Sequence, residues 1–441
     1  MVANGSMLWP SLQKVGDSPS LRTGRPRPNI LFLLADDLRS DLLKRSSPFF
    51  TPTPNIDDAF AKGFDFKNAY VTTSICPSSR ASFLSSQYSS KHRIWNFKQS
   101  FSKDSWKQTL PAILQRNGYQ IAFLGKWGIG QSSYSRNYDY YDGFEGQGKY
   151  WQEDGSFLTE ALAYRFDNFL EIASQEPWFA QLSFKSPHVQ DDSDEPYPIP
   201  KEFSSLIPED EITPPPSLDL FSTMPDFFKD SEGRSRFLNR SMEKNYSQVI
   251  NRYRAMLRIL DQSVGKIVAS LRDSGLLENT ILIFASDNGL LLGEYGLGGK
   301  WWMFEPSIKI PMKIVLPKSF SNVSANEDSL VLNLDLTPSL LDLLSIPAES
   351  GMQGISMFQK MNREAFFYEH QFQEGMQISP CYGVRSSNFK YFQFPHADFE
   401  MLFNMREDPL ELVNLASDPA NAQILSQMKS LMKGLQKSIY H

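Results

Sequence analysis

Nine polar side chains in this chain have the types and spacing that could bind and transform an anionic ester: Asp36, Asp37, Cys76, Arg80, Lys126, His188, Asp287, Asn288 and Lys300. Three carboxylates and an amide oxygen form a hard ligand set that suits Ca²⁺ or Mg²⁺ better than zinc. A divalent cation and several fixed cationic side chains would neutralise charge that builds up on a transferred sulfuryl or phosphoryl group. Cys76 lies four residues before Arg80 at a predicted helix start, where an anion is favoured.

Each of these residues also has an ordinary explanation when it is considered alone. A lone cysteine is most often a small core residue, and Asp-Asp and Asp-Asn-Gly sequences are common in turns. Lys126 and Lys300 could be surface lysines, and His188 could be a structural histidine. Two acidic pairs at the ends of two buried strands favour a common site over these separate explanations.

The elements that must position these residues alternate between strands and helices. Strands are predicted at residues 29–35, 119–124, 178–184 and 280–285, and helices at 109–117, 158–174 and 246–274. This alternation predicts an α/β fold with a mostly parallel central sheet flanked by helices. Ligands of such sheets bind at the carboxyl ends of the strands, which is where the polar clusters fall.

The rest of the chain is predicted to be more irregular. Residues 131–157 and 190–229 are expected to be loops, 310–316 a strand, and 334–344 a helix. Short antiparallel strands are expected at 364–369, 382–385, 390–394 and 401–404, followed by a helix from about residue 421. We therefore predict a disordered leader over 1–27, a catalytic domain over 28–350, and a smaller C-terminal subdomain with antiparallel strands over 351–441.

Composition excludes several other classes of protein. The 441 residues have a net charge of −6, which gives no overall attraction to nucleic acid or to an anionic membrane. No apolar run is long enough to span a membrane, and residues 1–28 contain no apolar signal-peptide core. The two cysteines, Cys76 and Cys381, exclude a cysteine-built zinc site, although one bridge between them remains open.

The chain resembles the type I sulfatases of the alkaline phosphatase superfamily, in particular those that act on sulfated carbohydrates. The resemblance follows a series of motifs in order along nearly the whole chain: Asp36-Asp37, residues 76–84, Gly125-Lys126-Trp127, Ser186-Pro187-His188, Ser286-Asp287-Asn288-Gly289, residues 292–296 with Lys300, Gly383-Val384-Arg385 and residues 408–415. Each motif is modest, but their order and spacing are specific.

The resemblance implies a role for each matching position. A maturase would oxidise Cys76 to formylglycine, whose hydrate supplies the nucleophilic hydroxyl. Ca²⁺ would be bound by the acidic and amide side chains together with residue 76, namely Asp36, Asp37, Cys76, Asp287 and Asn288. Arg80 and Lys126 would hold the hydrate, while His188 and Lys300 would contact the sulfate and the leaving oxygen.

Two positions depart from the family pattern. The maturation signal usually has Pro or Ala two residues after the cysteine, where this chain has Ser78. The family commonly has a histidine base two residues after the lysine, where this chain has Gly128. Lys126, His92 or a metal-bound water would have to replace that base, and Gly128→His is predicted to speed turnover. Loss of a general base typically costs about 10²–10⁴-fold.

Three functions are consistent with these residues. The first is hydrolysis of sulfate esters on a carbohydrate, and the second is hydrolysis of phosphate or phosphonate esters at a similar site. The third is a catalytically impaired protein that binds sulfated glycans. Aromatic residues in 147–151 and Trp301-Trp302 could stack on sugar rings or could simply pack in the core. The resemblance also implies a periplasmic, secreted or lysosomal location.

Overall fold

The structure is a computed structural model and describes residues 27–130, 137–173, 176–191, 193, 195–361, 363–371, 375 and 377–440. Its strands, in chain order, are β1 (Asn29–Asp36), β2 (Phe64–Asp65), β3 (Asn68–Tyr70), β4 (Gln120–Lys126), β5 (Tyr140–Phe144), β6 (Trp178–Pro187), β7 (Thr280–Ser286), β8 (Leu291–Leu292), β9 (Gly298–Gly299), β10 (Lys309–Ile310), β11 (Met312–Val315), β12 (Leu330–Leu332), β13 (Ala365–His370), β14 (Cys381–Ser386), β15 (Phe389–Phe394) and β16 (Phe399–Asn404).

Twelve α-helices connect or cover the strands in the described part of the chain. They are α1 (Pro54–Phe60), α2 (Cys76–Ser85), α3 (Ser89–His92), α4 (Lys103–Trp106), α5 (Leu110–Arg116), α6 (Leu158–Ile172), α7 (Asp226–Lys229), α8 (Glu232–Asn239), α9 (Tyr246–Asp273), α10 (Glu305–Ile308), α11 (Leu336–Leu343) and α12 (Ala422–Tyr440).

The central sheet has seven strands in the order β2-β11-β7-β1-β6-β4-β5. The strands from β7 to β5 in this order are parallel, and β11 pairs antiparallel with both β7 and β2. The predicted α/β fold with a mostly parallel sheet is therefore confirmed. The carboxyl ends of β1, β4, β6 and β7 lie along one edge.

Strand β1 is buried over all eight of its residues, since it lies in the middle of the sheet. Its side chains alternate between two apolar cores. Ile30, Phe32 and Leu34 join the core that also contains side chains of the C-terminal sheet, whereas Leu31 and Leu33 join the core that contains α6 and α9. A strand that is apolar on both faces fits only such a doubly covered position.

The C-terminal sheet has four antiparallel strands in the order β13-β14-β15-β16. All four strands predicted in this region are present, and α12 follows them. Two smaller sheets complete the fold: β10-β3-β12 and the pair β8-β9, which immediately precedes Lys300. The predicted boundary between residues 350 and 351 stays a prediction.

Three expectations about the elements need correction. The region 137–157 is not wholly irregular, because β5 pairs with β4 there; its half-buried sequence Tyr140–Phe144 lacks the apolar run of a central strand. The predicted strand at 310–316 is divided by Pro311 into β10 and β11, which belong to different sheets. The expected loop at 190–229 contains short helices and buries Tyr197 and Phe228.

Residue 27 is the first residue that the structure describes. The predicted leader lies outside the described residues except for Arg27, whose guanidinium donates to the carbonyl of Asn117. None of the helices in the described ranges combines the length and the apolarity that crossing a membrane requires.

Candidate active site

The carboxyl edge of the sheet brings the predicted strand-end residues together. Asp36 is the last residue of β1 and Lys126 the last residue of β4. His188 follows the end of β6, and Asp287 with Asn288 follows the end of β7. Because these four strands are neighbours in the sheet, side chains separated by as many as 251 residues in sequence lie within contact distance.

Helix α2 places Cys76 and Arg80 over this edge. Cys76 is the first residue of the helix, Arg80 lies one turn later, and all ten residues of α2 are buried. The guanidinium of Arg80 donates from Nε to Asp287 (2.8 Å), from Nη2 to Asp36 (3.2 Å) and from Nη1 to the carbonyl of Lys126 (2.6 Å). Arg80 therefore fixes three strand ends relative to one helix.

Two lysines flank the thiol of Cys76. The ammonium of Lys300 lies 2.9 Å from Sγ and also contacts Asp37 Oδ1. The ammonium of Lys126 lies 4.0 Å from Sγ and 2.5 Å from Asp36 Oδ2. The Sγ atom is also 3.3 Å from Asp36 Oδ1. The thiol therefore lies at the meeting point of the carboxylates and the ammonium groups.

Asp37 is held in an unusual backbone conformation. Its φ is +62°, in the left-handed region that non-glycine residues rarely occupy. Its amide donates to Asp287 Oδ1 (3.2 Å), and Asn288 Nδ2 donates to Asp37 Oδ1 (2.5 Å). Strained residues that are fixed by several contacts are concentrated at functional sites.

His188 faces the same carboxylate. Its Nδ1 lies 2.7 Å from the carbonyl of Val189, which can only accept, so Nδ1 donates the proton. Nε2 is then directed toward Asp37 Oδ2, at 3.6 Å. Burial and the neighbouring Lys126 lower the pKa of His188 well below its ordinary value.

The buried acidic groups differ in how easily they lose a proton. Burial raises the pKa of Asp287 to about 6, and the charge of Asp36 acts in the same direction. Burial would also raise the pKa of Asp36, but Lys126 and other neighbouring cations together hold it well below its ordinary value. The site thus keeps Asp36 ionised at neutral pH. The pKa of the Cys76 thiol is strongly raised by burial and by Asp287.

Oxygen atoms suitable for a cation remain within this cluster. Ligand atoms of Asp36, Asp37, Cys76 and His188 all lie within 4.8 Å of one another. Asp37 Oδ2 and Asn288 Oδ1 are buried without a hydrogen-bond partner among the described residues. Buried acceptors of this kind normally have a donor or a cation, so these side chains fit a hard metal ion.

Two residues in contact with the site were not assigned a role from the sequence. Gln147 Oε1 accepts a hydrogen bond from the Lys126 ammonium (2.6 Å). Lys185 donates to the carbonyls of Gln147 and Gly148, and burial lowers its pKa to about 8. The only sequence signal for Lys185 is a charged residue inside a buried strand, whereas Gln147 lies in a loop with no distinguishing pattern.

Three alternatives that the sequence leaves open are not realised in the structure. His92 hydrogen bonds with Ser82 and with the amide of Ile94, so its ring nitrogens are engaged elsewhere. Trp301 and Trp302 are buried in the core and are not open to stack on a sugar. Cys76 and Cys381 are both free and do not form a bridge.

Gly128 could not simply be replaced by histidine. Its φ is +70°, and a Cβ atom there would lie 2.8 Å from Cδ and 3.0 Å from Nε of Arg80. A loss of turnover is therefore expected for Gly128→His in place of the predicted gain, because the new side chain would displace the guanidinium that joins the strand ends.

Comparisons with known proteins agree with this arrangement. Residues 28–346 match the family model "Sulfatase", and residues 293–438 match "N-sulphoglucosamine sulphohydrolase, C-terminal". An N-acetylglucosamine-6-O-sulfatase of Bacteroides thetaiotaomicron is 25% identical over 93% of this chain and 86% of its own length. A choline-sulfatase of Rhizobium meliloti is also 25% identical, over 90% of this chain and 84% of its own length.

Solved structures share the fold over nearly the full chain. A protein in complex with its substrate D-glucosamine-2-N,6-O-disulfate superposes with a TM-score of 0.81 at 22% identity, covering 94% of this chain and 98% of the other. The phosphonate monoester hydrolase of Agrobacterium radiobacter gives a TM-score of 0.80 at 19% identity, covering 94% and 96%. Since the family model covers well over half of the residues, the chain belongs to the sulfatase family and is a sulfuric ester hydrolase.

Proposed function

We propose that this protein hydrolyses sulfate esters of a carbohydrate, with residue 76 as the nucleophile after oxidation of Cys76 to formylglycine. The position of the Cys76 sulfur, which stands in for the oxygens of the hydrated aldehyde, carries the proposal. It lies 2.9 Å from the Lys300 ammonium and 3.3 Å from Asp36. The unmodified thiol would be a poor nucleophile, because its raised pKa keeps it protonated at neutral pH.

We propose Ca²⁺ as the metal ion, with Mg²⁺ as the alternative. The ion would be bound by the side chains that meet at the strand ends, namely Asp36, Asp37, Asp287, Asn288 and residue 76. The unpartnered oxygens of Asp37 and Asn288 support this assignment. When bound, the ion would polarise the ester oxygens and offset the negative charge that develops during transfer.

The chain's own cations would complete the site. Lys126 and Lys300 would hold the hydroxyl groups of residue 76 and the sulfate oxygens, since both contact the position of Sγ. Arg80 would keep Asp36 and Asp287 in place through its two carboxylate contacts. His188, whose ring is fixed by the carbonyl of Val189, would contact the leaving oxygen. With Gly128 and His92 unsuitable as bases, Lys126 is the proposed substitute, after it has passed its own proton to Asp36 Oδ2, which lies 2.5 Å away.

The preference for a carbohydrate rests on the relatives. The Bacteroides relative is named an N-acetylglucosamine-6-O-sulfatase, and two further relatives, from goat and human, are named N-acetylglucosamine-6-sulfatases. Each is at most 28% identical to this chain, so the sugar and the sulfate position are not transferred from them. Hydrolysis of phosphate or phosphonate esters, and binding of sulfated glycans without turnover, remain as the alternatives.

Mass spectrometry of the peptide that contains residue 76 provides the first test. Protein produced with a formylglycine-generating maturase should show the mass change from thiol to aldehyde, despite Ser78. Converted protein should then hydrolyse an aryl sulfate faster than the matching aryl phosphate. A chain that is never converted, or that prefers the phosphate, would contradict the proposal.

Cys76→Ala should abolish sulfatase activity, by more than about 10³-fold, because the nucleophile is lost. Cys381→Ala is the matched control, since Cys381 is the other buried free cysteine and belongs to β14 in the C-terminal sheet. Activity that survives in Cys76→Ala would remove residue 76 from the reaction.

A further inference from the structure

A second group of polar side chains lies beside the candidate active site and has no part in the function proposed above. It consists of Arg236 in α8, Arg240 directly after α8, and Tyr197 in the loop that follows β6. We call this group the arginine cluster. None of the three has a family motif or a strand-end position that would single it out in the sequence.

Arg240 is the unusual member of the arginine cluster. Only 6% of its surface is exposed, and its Nη1 atom is buried without a hydrogen-bond partner among the described residues. The hydroxyl of Tyr197 is fully buried and also lacks a partner in that part of the chain. Buried donors are normally paired, and an unpaired charged donor is especially unfavourable.

Other arginines in the same region are paired with acceptors. Arg236 donates to Glu232 (2.9 Å) and Arg234 to the carbonyl of Gly296 (3.1 Å). Arg254 donates to Asp210 at 2.8 Å. The unpaired Nη1 of Arg240 therefore does not reflect a general lack of acceptors around α8, and it indicates a position where an external acceptor binds.

The arginine cluster borders the candidate active site on the side of Lys300. The guanidinium of Arg236 lies 4.8 Å from the ring of Trp301, the residue that follows Lys300. A Cβ atom added to Gly299 would lie 3.4 Å from Cδ of Arg236. Helix α8 thus packs directly on the strand that leads into Lys300.

The cluster also borders the side of Asp37. The ring of Tyr197 packs against Tyr253, with 5.3 Å between the ring centroids. The hydroxyl of Tyr253 donates to the carbonyl of Asp37 (2.6 Å). Arg240 is 6% exposed, compared with 3% for Lys300 and 2% for His188, so the three residues are buried to a similar extent.

The charges of this cluster interact with one another. Burial raises the pKa of Tyr197 to about 12, although the positive charge of Arg240 acts to lower it. Burial lowers the pKa of Arg240, while Tyr197 acts to raise it. After burial, each of the two groups is therefore the strongest influence on the pKa of the other. Each would gain from an anion that accepts from both.

We propose that Arg240 and Tyr197 bind a second anionic group of the substrate, a sulfate or a carboxylate near the ester that is hydrolysed. A guanidinium forms paired hydrogen bonds with either anion, and the tyrosine hydroxyl supplies one more donor. This inference rests on the proposed function and narrows it, because it makes a carbohydrate with at least two anionic groups the preferred substrate.

Competition against an aryl sulfate, which has one anionic group, tests this proposal. Full-length converted protein is assayed with three competitors: glucosamine 6-sulfate, glucosamine 2-N,6-O-disulfate, and glucosamine 6-sulfate linked to a uronic acid. The first has one anionic group, the second adds a sulfate and the third adds a carboxylate. We expect at least one of the doubly anionic competitors to inhibit at a concentration about 10- to 100-fold below that of the first.

Arg240→Gln should remove this preference. The inhibition constant of glucosamine 6-sulfate and that of the preferred doubly anionic competitor should then agree to within about threefold, so that their ratio is near unity. Lys244→Gln is the matched control: it removes the same charge from an exposed position four residues later and should leave the ratio and the turnover unchanged. Arg240→Lys should restore only part of the preference, because an ammonium cannot form the paired contact.

Each outcome decides between distinct conclusions. If only the disulfate inhibits more strongly than glucosamine 6-sulfate, the second anion is a sulfate. If only the competitor linked to the uronic acid does so, the second anion is a carboxylate. Wild-type protein that turns over the aryl sulfate but does not distinguish the competitors would overturn the inference and leave the proposed function intact. A ratio that Arg240→Gln does not change would also overturn it. Converted protein without aryl sulfate turnover would remove the proposed function, and the inference with it.

Discussion

The guanidinium of Arg80 explains why position 128 is glycine in this chain. Arg80 contacts two carboxylates and the carbonyl of Lys126, and the backbone at Gly128 passes so close that a Cβ atom would lie 2.8 Å from Cδ of Arg80. A side chain there would have to move the arginine or the turn that follows β4. Either movement would separate the strand ends that the arginine joins.

Gly128→Ala should therefore reduce kcat by at least about tenfold and lower the midpoint of thermal unfolding. Gly275→Ala is the matched control, because Gly275 has a φ of +72° with no atom within 4 Å of an added Cβ. The control should show the conformational cost alone, about 1–2 kcal/mol, with normal turnover. Equal loss of activity in both variants would show that contact with Arg80 does not matter.

Helices α2 and α3 are joined by a buried histidine that has a structural role. His92 Nε2 lies 3.2 Å from the hydroxyl of Ser82, and its Nδ1 accepts from the amide of Ile94. Burial lowers the pKa of His92 from 6.5 to about 3. Because the folded pKa lies below the unfolded one, the stabilisation is complete above about pH 6.5 and is lost as the pH falls toward 3.

This shift predicts acid sensitivity that can be assigned to one side chain. Between pH 6.5 and pH 5 the protein should lose about 1.5 kcal/mol of unfolding free energy through His92, since the unfolded chain takes up the proton that the folded chain excludes. His92→Gln should flatten the dependence of unfolding free energy on pH by that amount. His396→Gln, at an exposed position, supplies the control for the effect of removing a histidine as such. Parallel curves for wild type and His92→Gln would contradict the assignment.

The sequence predicts the elements of this fold best where burial is complete. The four central strands are mostly apolar and almost completely buried, so their type and their polar ends were both predictable, and Asp36, Lys126, His188 and Asp287 followed from them. The edge strand β5 was not predicted, because an edge strand that is only half-buried needs fewer apolar residues than a central strand. Gln147 and Arg240 lie outside strands and helices, and only the folded chain brings them to the site.

An ion network joins the C-terminal sheet to the rest of the molecule. Lys390, in β15, is fully buried and lies 2.7 Å from both Glu305, in α10, and Glu411. Burial alone would raise the pKa of Glu305, but Lys390 and Arg385 hold it below its ordinary value. Removing one partner of such a network leaves buried charge without compensation.

Lys390→Met should therefore lower the unfolding free energy by about 3–5 kcal/mol. Lys429→Met is the matched control. Lys429 also lies 2.7 Å from a glutamate, Glu400, but its side chain is 38% exposed. The control should cost no more than about 1 kcal/mol. Urea unfolding of the two variants measures the difference, and similar losses would show that burial of Lys390 does not govern its contribution.

The pairing of β1 with β7 has a consequence for the time at which this protein can mature. Asp287, which Arg80 of α2 holds beside residue 76, lies about 210 residues later in the chain than Cys76. At about 5–20 residues per second, the ribosome needs on the order of 10–40 s to make that segment. Throughout this interval the sheet edge that α2 covers still lacks β7. We therefore expect the proposed oxidation of Cys76 to be favoured before β7 has been made, and slower synthesis between residues 76 and 288 should raise the converted fraction.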